Sequence, residues 1–426
     1  MQVLFILLFI FFLIGVPIAI VLGFSSLVTL EIKDMPLVTL AQKTFEGMDS
    51  FTLLAIPFFI LAGTVMTTGG ISRRLMDFAN ALVGWIRGGL GAVAILTSML
   101  FATMSGSSSA TTAAIGPTLI PAMEKKGYPK NIAAATCGTS GELGSIIPPS
   151  IAMIVFGATA NVSIGSLFLA GIVPGLLIGL SLILTIVIIA RVKKFDSVQT
   201  TTVKEWSSNV WRTFKDAFFA LLMPVIILGG IYSGWFTPTE AAAIAAVYGI
   251  VVSMFVYKEI NLRDLFKLLS KSAVSSAIIL LIVSFAAIFG YVLTIEQIPH
   301  QLGELIASVT DSPIIFLLLV NILLLIVGMF LESYAAIIIL VPILFPIATS
   351  FGIDPIHFGM VVVVNIALGM ITPPLAVNLY LVCQIADLRI EQIIRPVAIF
   401  FSVLIVDLLI ITYIPFLSTW LPSILQ

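Results

Sequence analysis

Leu143-Gly144-Ser145-Ile146-Ile147-Pro148-Pro149 and Leu368-Gly369-Met370-Ile371-Thr372-Pro373-Pro374 share one pattern, L-G-x-I-x-P-P, at an offset of 225 residues (368 − 143). The same offset carries Met104 to Met329, Ser108 to Ser333, Pro117 to Pro342, Leu119 to Leu344, Pro121 to Pro346 and Gly127 to Gly352, with no gap. The matches fall on glycine and proline rather than on bulk apolar residues. Helix-breaking residues at corresponding places in two halves of a membrane protein point to a transporter's central binding site.

The rest of the chain is that of a membrane protein. Apolar residues make up 60% of it, charged residues only 10%, and mean hydropathy is +1.20. A water-soluble surface cannot be built from that composition. A net charge of −1 carries no information about partners. Cys137 and Cys383 lie inside apolar segments and are expected as small buried side chains rather than a disulfide or metal site. His300 and His357 fall near loops and cannot form a metal centre alone. The run Val3 to Leu22 lacks the basic start and small-residue cleavage pattern of a signal peptide. It reads as a first membrane helix bent near Gly15 and Pro17.

About 20 apolar residues cross a bilayer as a helix. Spans are expected over roughly 3–30, 51–68, 131–160, 166–190, 217–233, 238–257, 273–294, 356–386 and 396–417. Two apolar pairs, 92–122 and 314–349, carry a polar interruption midway and read as re-entrant helical hairpins. Lys and Arg orient the whole. Arg73, Arg74 and Arg87 precede the first hairpin and Lys125, Lys126 and Lys130 follow it, which places both flanks in the cytoplasm. The loop 191–216 and the segment 258–271 are equally basic. From Lys271 to Arg389 there is neither Lys nor Arg, so the second hairpin is expected to enter from outside, between flanks holding Glu296, Glu304, Asp311 and Asp354. The fold class that results is an all-α polytopic membrane protein with inverted-topology repeats. Its parts are scaffold helices over 1–68, transport elements of the first repeat over 69–190, a basic loop and further scaffold over 191–271, and the second repeat over 272–426.

The chemistry-bearing pieces are the tips and the breaks. The first tip reads Ser105-Gly106-Ser107-Ser108-Ser109. Its hydroxyls either cap the second arm of the hairpin or, with carbonyl oxygens, hold a cation while free amides face an anion. Five small polar residues exceed what one cap needs. The partner helix 131–160 is expected to break across Gly138-Thr139-Ser140-Gly141-Glu142-Leu143-Gly144-Ser145 and then Pro148-Pro149. Half-helix ends at such a break suit a cation on one side and a carboxylate on the other. The second repeat supplies a less polar tip, Gly328-Met329-Phe330-Leu331-Glu332-Ser333, and a break expected from Asn365 to Pro374, with neutral oxygens from Thr372 and Asn378. Glu142, Glu332 and Asp407 are the main ionisable groups at membrane depth and therefore functional candidates, although Asp407 is equally suited to meeting a partner helix. None has a Lys, Arg or His relay beside it, which favours a small hard cation such as Na⁺ over a proton. Thr237-Pro238-Thr239-Glu240 needs nothing beyond a capping box.

Three stretches resemble a known family. Pro224-Val-Ile-Ile-Leu-Gly-Gly-Ile-Tyr-Ser-Gly-Trp-Phe-Thr-Pro-Thr-Glu-Ala-Ala-Ala-Ile-Ala-Ala-Val-Tyr248, Gly106-Ser-Ser-Ser-Ala-Thr-Thr-Ala-Ala-Ile-Gly-Pro117 and Gly144-Ser-Ile-Ile-Pro-Pro-Ser150 resemble the large membrane (M) subunit, of DctM/SiaM type, of tripartite ATP-independent periplasmic (TRAP) transporters. The resemblance runs end to end. It implies a Na⁺-driven, elevator-type importer of organic acids, sialic acid or dicarboxylate in class, in the bacterial inner membrane. It implies no enzyme activity, no cofactor beyond Na⁺ as coupling ion, and no nucleic-acid partner. The implied partners are a small four-helix membrane (Q) subunit, expected as a separate polypeptide, and a periplasmic substrate-binding (P) protein. Carried over to this numbering, one Na⁺ site would use Ser105, Ser109, Gly138, Thr139 and Gly144. Another would use Gly328, Glu332, Asn365, Gly369 and Thr372. The substrate carboxylate would sit between the tips, among Ser105 to Ser109, Pro149, Ser333, Pro374 and Asn378. A stand-alone Na⁺/carboxylate symporter would share these hairpins without needing a binding protein. An intramembrane serine protease lacks a base beside the serines, and no ring of like charges marks a channel.

Overall fold

Proline removes a backbone donor wherever it falls, and the computed structural model, which describes residues 2–196, 202–374 and 376–425, breaks its central helices at the two Pro-Pro pairs. All regular elements among these residues are helical, and eight helices are long and apolar enough to cross a membrane. The first hairpin is Gly89–Ser105 and Ser108–Lys125; the second is Pro313–Gly328 and Ser333–Ser350. The helices Ser108–Lys125 and Ser333–Ser350 start and end at the 225-residue offset (333 − 108 and 350 − 125). A helix also precedes each hairpin, Ile71–Val83 in one half and Ile298–Val309 in the other, at offsets close to the repeat (298 − 71 = 227 and 309 − 83 = 226). The repeat in the sequence is a repeat in the fold.

The breaks lie later than expected. Gly138, Gly141 and Gly144 remain helical, in Lys130–Gly141 and Leu143–Ile146, and the chain unwinds only over 147–150 before Ile151–Ala160 begins. In the second repeat Asn365 is still inside Pro355–Gly369, and residues 370–374 and Ala376 are non-helical ahead of Val377–Ala386. A glycine costs a helix only about 1 kcal/mol against alanine, which close packing offsets. Both Pro-Pro bonds are cis. Pro149 has no N–H for the Ser145 carbonyl, and the Ser150 hydroxyl donates to that oxygen instead at 2.6 Å.

The amino-terminal run is not one bent span. Gln2–Ile14 and Ile18–Ile32 fold back on each other. Gly15 has φ +79°, the Val16 N–H donates to the Phe11 carbonyl at 3.0 Å, and the Phe11 and Phe24 rings stand 5.5 Å apart. Each arm is about 20 Å long, short of a bilayer core of about 30 Å.

The scaffold is organised by Leu262–Ile295, a 34-residue helix that packs against Ile18–Ile32, Val38–Met48 and Ala55–Thr68. Pro238–Val251 covers the other side of Ala55–Thr68 and starts with the expected capping box, Thr237 accepting from Glu240 N and Glu240 from Thr237 N. The segment 191–216 is helical from Val203 onward, and its residues 197–201 lie outside the described residues. The basic segments gather at one end. Arg73 and Arg74 both reach Glu259 at 2.7 Å, Arg74 stacks on Tyr257, Tyr128 donates to Asp196, and Asn131 donates to the Gln392 carbonyl. At the far end of the 34-residue helix, Lys33 pairs with Glu296 at 2.8 Å and holds that carboxyl below the usual carboxylate range. Asp407 accepts a hydrogen bond from Ser181, so it does meet a partner helix, tying Ile390–Tyr413 to Ile164–Lys193.

Lys126 and Asp311 are both exposed and flank opposite hairpins. Lys126→Cys and Asp311→Cys, made in a variant lacking Cys137 and Cys383, should react with a membrane-impermeant maleimide from opposite faces. In spheroplasts, Asp311→Cys should label directly and Lys126→Cys only after permeabilisation.

Candidate functional site

Gly106 closes the first tip with φ +62°, a conformation that glycine adopts without strain. Its carbonyl accepts from the Ile151 N–H at 3.0 Å, joining the hairpin to the start of the half-helix Ile151–Ala160. A Cβ on Gly106 would lie 3.0 Å from the Pro149 carbonyl oxygen. Oxygens converge around this turn. Ser105 Oγ and Thr111 Oγ1 are 2.9 Å apart, Thr111 Oγ1 donates to the Ser107 carbonyl at 2.8 Å, and Ser107 Oγ meets Ser109 Oγ at 3.2 Å. Ser107 also caps the second arm, accepting from Ala110 N. The cap and the oxygen cluster therefore coexist. Gly144 lies against the Ser107 carbonyl and Thr111 Oγ1, in a gap that a Cβ would fill.

The second repeat rebuilds this contact from plainer parts. Gly369, the 225-offset counterpart of Gly144, lies backbone to backbone against Gly328; a Cβ on Gly328 would sit 2.9 Å from the Gly369 Cα. Asn365 donates to Asn321 Oδ1 at 2.8 Å and to the Val361 carbonyl at 2.7 Å, while its own buried Oδ1 has no partner among the described residues. The two repeats touch at Met370. Ser108 and Ser333, equivalent residues of the two tips, both direct their hydroxyls at its sulfur, at 3.8 and 2.7 Å.

Between the tips and the scaffold is a cavity of about 500 Å³. Ser105, Ser107, Ser109 and Ile151 line it from the first repeat, Glu332, Tyr334 and Leu381 from the second. Thr64, Thr67 and Thr68 of Ala55–Thr68, and Lys271 and Ser275 of Leu262–Ile295, line the scaffold side. Lys271, Thr67 and Thr68 belong to the end where the basic segments gather. An anion entering this space would meet hydroxyls, the first turn of Ser108–Lys125 and one lysine.

The expected site residues divide accordingly. Ser105, Ser107 and Ser109 are on the cavity wall, and Glu332 joins them there rather than at the Gly328–Gly369 contact. Ser108 and Ser333 are buried on Met370, and Gly106 and Pro149 form the turn-to-break contact. Pro374 is exposed, and Asn378 is fully buried, donating to Glu142. Gly138 packs on Leu379 and Val382, while Thr139 and Thr372 bond back to carbonyls of their own helical turns, Ala135 and Leu368. Among the described residues no group of His, Cys, Asp and Glu could hold a transition metal. Apart from the Met370 sulfur where the tips meet, the side-chain and carbonyl ligands the tips offer are oxygen, which fits a hard cation such as Na⁺. The scaffold residues of the cavity went unnoticed in the sequence; threonines at i, i+3 and i+4 in an otherwise apolar span were the available signal.

Paired hairpins, Pro-broken helices and a polar cavity between them and long scaffold helices define a multi-pass membrane transporter of the inverted-repeat kind. Residues 5–417 match the family model described as "Tripartite ATP-independent periplasmic transporter, DctM component", and the chain belongs to that family. It is 48% identical over 403 residues to the C4-dicarboxylate TRAP transporter large permease protein DctM of Pseudomonas aeruginosa, covering 94% of this chain and 93% of that one. It is 36% identical to the sialic acid TRAP transporter large permease protein SiaM of Vibrio cholerae, covering 96% and 95% of the two chains. In Oleidesulfovibrio alaskensis the isethionate TRAP transporter permease protein DctMQ is 43% identical, and the match covers 95% of this chain and 64% of that one. The crystal structure of the YdaH transporter of Alcanivorax borkumensis shares the fold, with a TM-score of 0.64 at 16% identity, over 90% of this chain and 88% of that one. The relatives are named as transporter permeases, not enzymes.

Gly144→Ala and Gly369→Ala should each cut transport at least tenfold, equivalent to about 1.4 kcal/mol in the barrier, with the protein still extracted as a monodisperse species. Gly229→Ala, where a Cβ would meet nothing within 4 Å, should transport normally.

Proposed function

We propose that this chain is the large subunit of a Na⁺-coupled importer of a small organic acid in the bacterial inner membrane. It receives substrate from a periplasmic binding protein and works beside a small four-helix membrane subunit. The cavity carries this reading: the tip that bears the serine cluster and the wall that bears Lys271 face the same 500 Å³ space. The substrates for which the relatives are named, a C4-dicarboxylate, isethionate and sialic acid, share a negative charge and little else. The common requirement is a site for one anionic group. Lys271 offers a point charge for it, and the serines and threonines offer hydroxyl donors that adapt to different skeletons. Glu332 on the same wall repels a second anionic group placed near it, so the end of the substrate facing Glu332 is neutral or hydroxylated, or its charge is balanced by a bound cation.

The mechanism follows from which parts are stitched together. Tips and broken helices are joined by the Gly106–Ile151 bond, the Gly328–Gly369 contact and the Met370 junction, and form one unit. Ala55–Thr68 and Leu262–Ile295 form the wall that this unit faces across the cavity. An elevator motion moves the stitched unit along that wall, carrying Ser105 to Ser109 and the substrate together. Na⁺ held by the oxygens of each tip would order the tip before the anion docks, which couples the two.

Uptake of labelled C4-dicarboxylate and sialic acid into proteoliposomes tests this, with the small subunit present and with the Na⁺ gradient and the cognate binding protein each supplied or withheld. Uptake that requires both is the expected result. Uptake that requires Na⁺ alone would make the chain a stand-alone symporter, and uptake indifferent to Na⁺ would remove the coupling. Lys271→Gln should raise KM five- to twentyfold while kcat changes less than threefold, because it removes binding energy common to the ground and transition states.

A further inference from the structure

One polar contact joins the two repeats away from both tips. Glu142 follows Lys130–Gly141 in the first broken helix, and Asn378 begins the half-helix Val377–Ala386 of the second. Glu142 is 1% exposed and Asn378 fully buried, and Asn378 Nδ2 donates to Glu142 Oε1. Three buried oxygens at this junction are left without a partner: Glu142 Oε2, Asn378 Oδ1, and Thr112 Oγ1, which lies against Gly141 next to Glu142. None of the described ion pairs involves Glu142. Val377–Ala386 packs on both Ser108–Lys125 and Lys130–Gly141, so the donors come from elements that already meet.

A carboxylate enclosed by apolar helices without a counter-charge is strongly disfavoured, and unpaired buried oxygens add to the penalty. What fills such a place is an electrophile that all three oxygens can share. The donors are carboxylate, amide and hydroxyl oxygen, with no sulfur or imidazole, which selects a hard cation. One carboxylate balances one positive charge; a divalent ion would leave an excess charge in the core and asks for six or more oxygens. We propose that Glu142, Asn378 and Thr112 form a monovalent cation site, separate from the two tip sites, which takes Na⁺ and clasps the first repeat to the second. The choice of Na⁺ rests on the Na⁺-coupled reading above. Because both broken helices supply ligands, the ion travels with the stitched unit, and its loading favours the arrangement in which the two repeats are closed on each other.

Equilibrium binding of ²²Na⁺ to the complete permease in nanodiscs tests the site directly, without relying on transport. Glu142→Gln preserves shape and removes the charge, and should lower the saturating number of bound Na⁺ by one while the rest bind as in the wild type. Asn378→Ala keeps the carboxylate and should raise the concentration for half-saturation of one ion at least tenfold. If Glu142→Gln proves too unstable to isolate, Asn378→Ala decides the question alone. Unchanged stoichiometry and affinity in the variants that can be isolated would overturn the proposal and leave Glu142 as a protonated partner of Asn378. A wild type that binds no Na⁺ would overturn the coupling as well as this site, whereas wild-type Na⁺ binding insensitive to both substitutions would overturn this site alone.

Discussion

A backbone group that loses its helical partner inside a bilayer must find another within the protein, because lipid offers none. Two Pro-Pro pairs create such groups at the middle of the molecule, and the rest of the structure answers them. The Ser150 hydroxyl takes the Ser145 carbonyl, the Ile151 amide finds the Gly106 carbonyl of the hairpin tip, and Thr372 folds its amide and hydroxyl back onto Gly369 and Leu368. The hairpins are therefore not decorations beside the broken helices. The first tip supplies part of what its break lacks through the Gly106 carbonyl, whereas the second lies against its break at Gly328 and Gly369 and donates the Ser333 hydroxyl to Met370.

That mutual dependence explains where small residues occur. Gly144 lets the Ser107 carbonyl and the Thr111 hydroxyl of the first tip approach its helix, Gly369 lets the Gly328 backbone do the same in the second repeat, and Gly141 makes room for Thr112. Oxygens crowded in this way repel one another unless something positive lies between them, which is why the cation sites proposed above fall where the packing is closest. The same crowding at Glu142 and Asn378 includes a buried carboxyl group. The scaffold, by contrast, is built from long helices that put hydroxyls and one lysine on the cavity wall and bury a few others, such as Ser284 on the Thr44 carbonyl, between themselves.

Much of this was legible beforehand, and the exceptions have physical reasons. The repeat, the hairpins and the Pro-Pro breaks could be read because proline acts through covalent structure, which neighbours cannot override. The glycine-rich run 138–145 misled because glycine acts through a small propensity that packing reversed, so the break falls after Ile146 rather than before it. The N-terminal hairpin was hidden in an unbroken apolar stretch whose turn is only Gly15-Val16-Pro17. The helices Ile71–Val83 and Ile298–Val309 were too short and too charged to register as spans. The serine cluster announced itself by composition, but Thr64, Thr67, Lys271 and Ser275 gain their meaning only from the cavity, which brings two distant scaffold helices opposite the tips. Asn378, chosen for its amide oxygen, belongs with Glu142, a pairing 236 positions apart that no local pattern reveals.

The exact register of the two halves makes the molecule its own comparison. Ser108–Lys125 and Ser333–Ser350 share length and offset, and Gly144 and Gly369 solve one steric problem twice. Where the halves agree, the architecture is being maintained. Where they part, something other than architecture is being chosen: Gly106 and Ser107 stand opposite Leu331 and Glu332, a flexible hydroxylated corner against a stiffer, acidic one. A duplicated architecture has thus been given two unlike corners, and under the transport reading proposed above the two ends of a bound molecule would be addressed in different chemical languages.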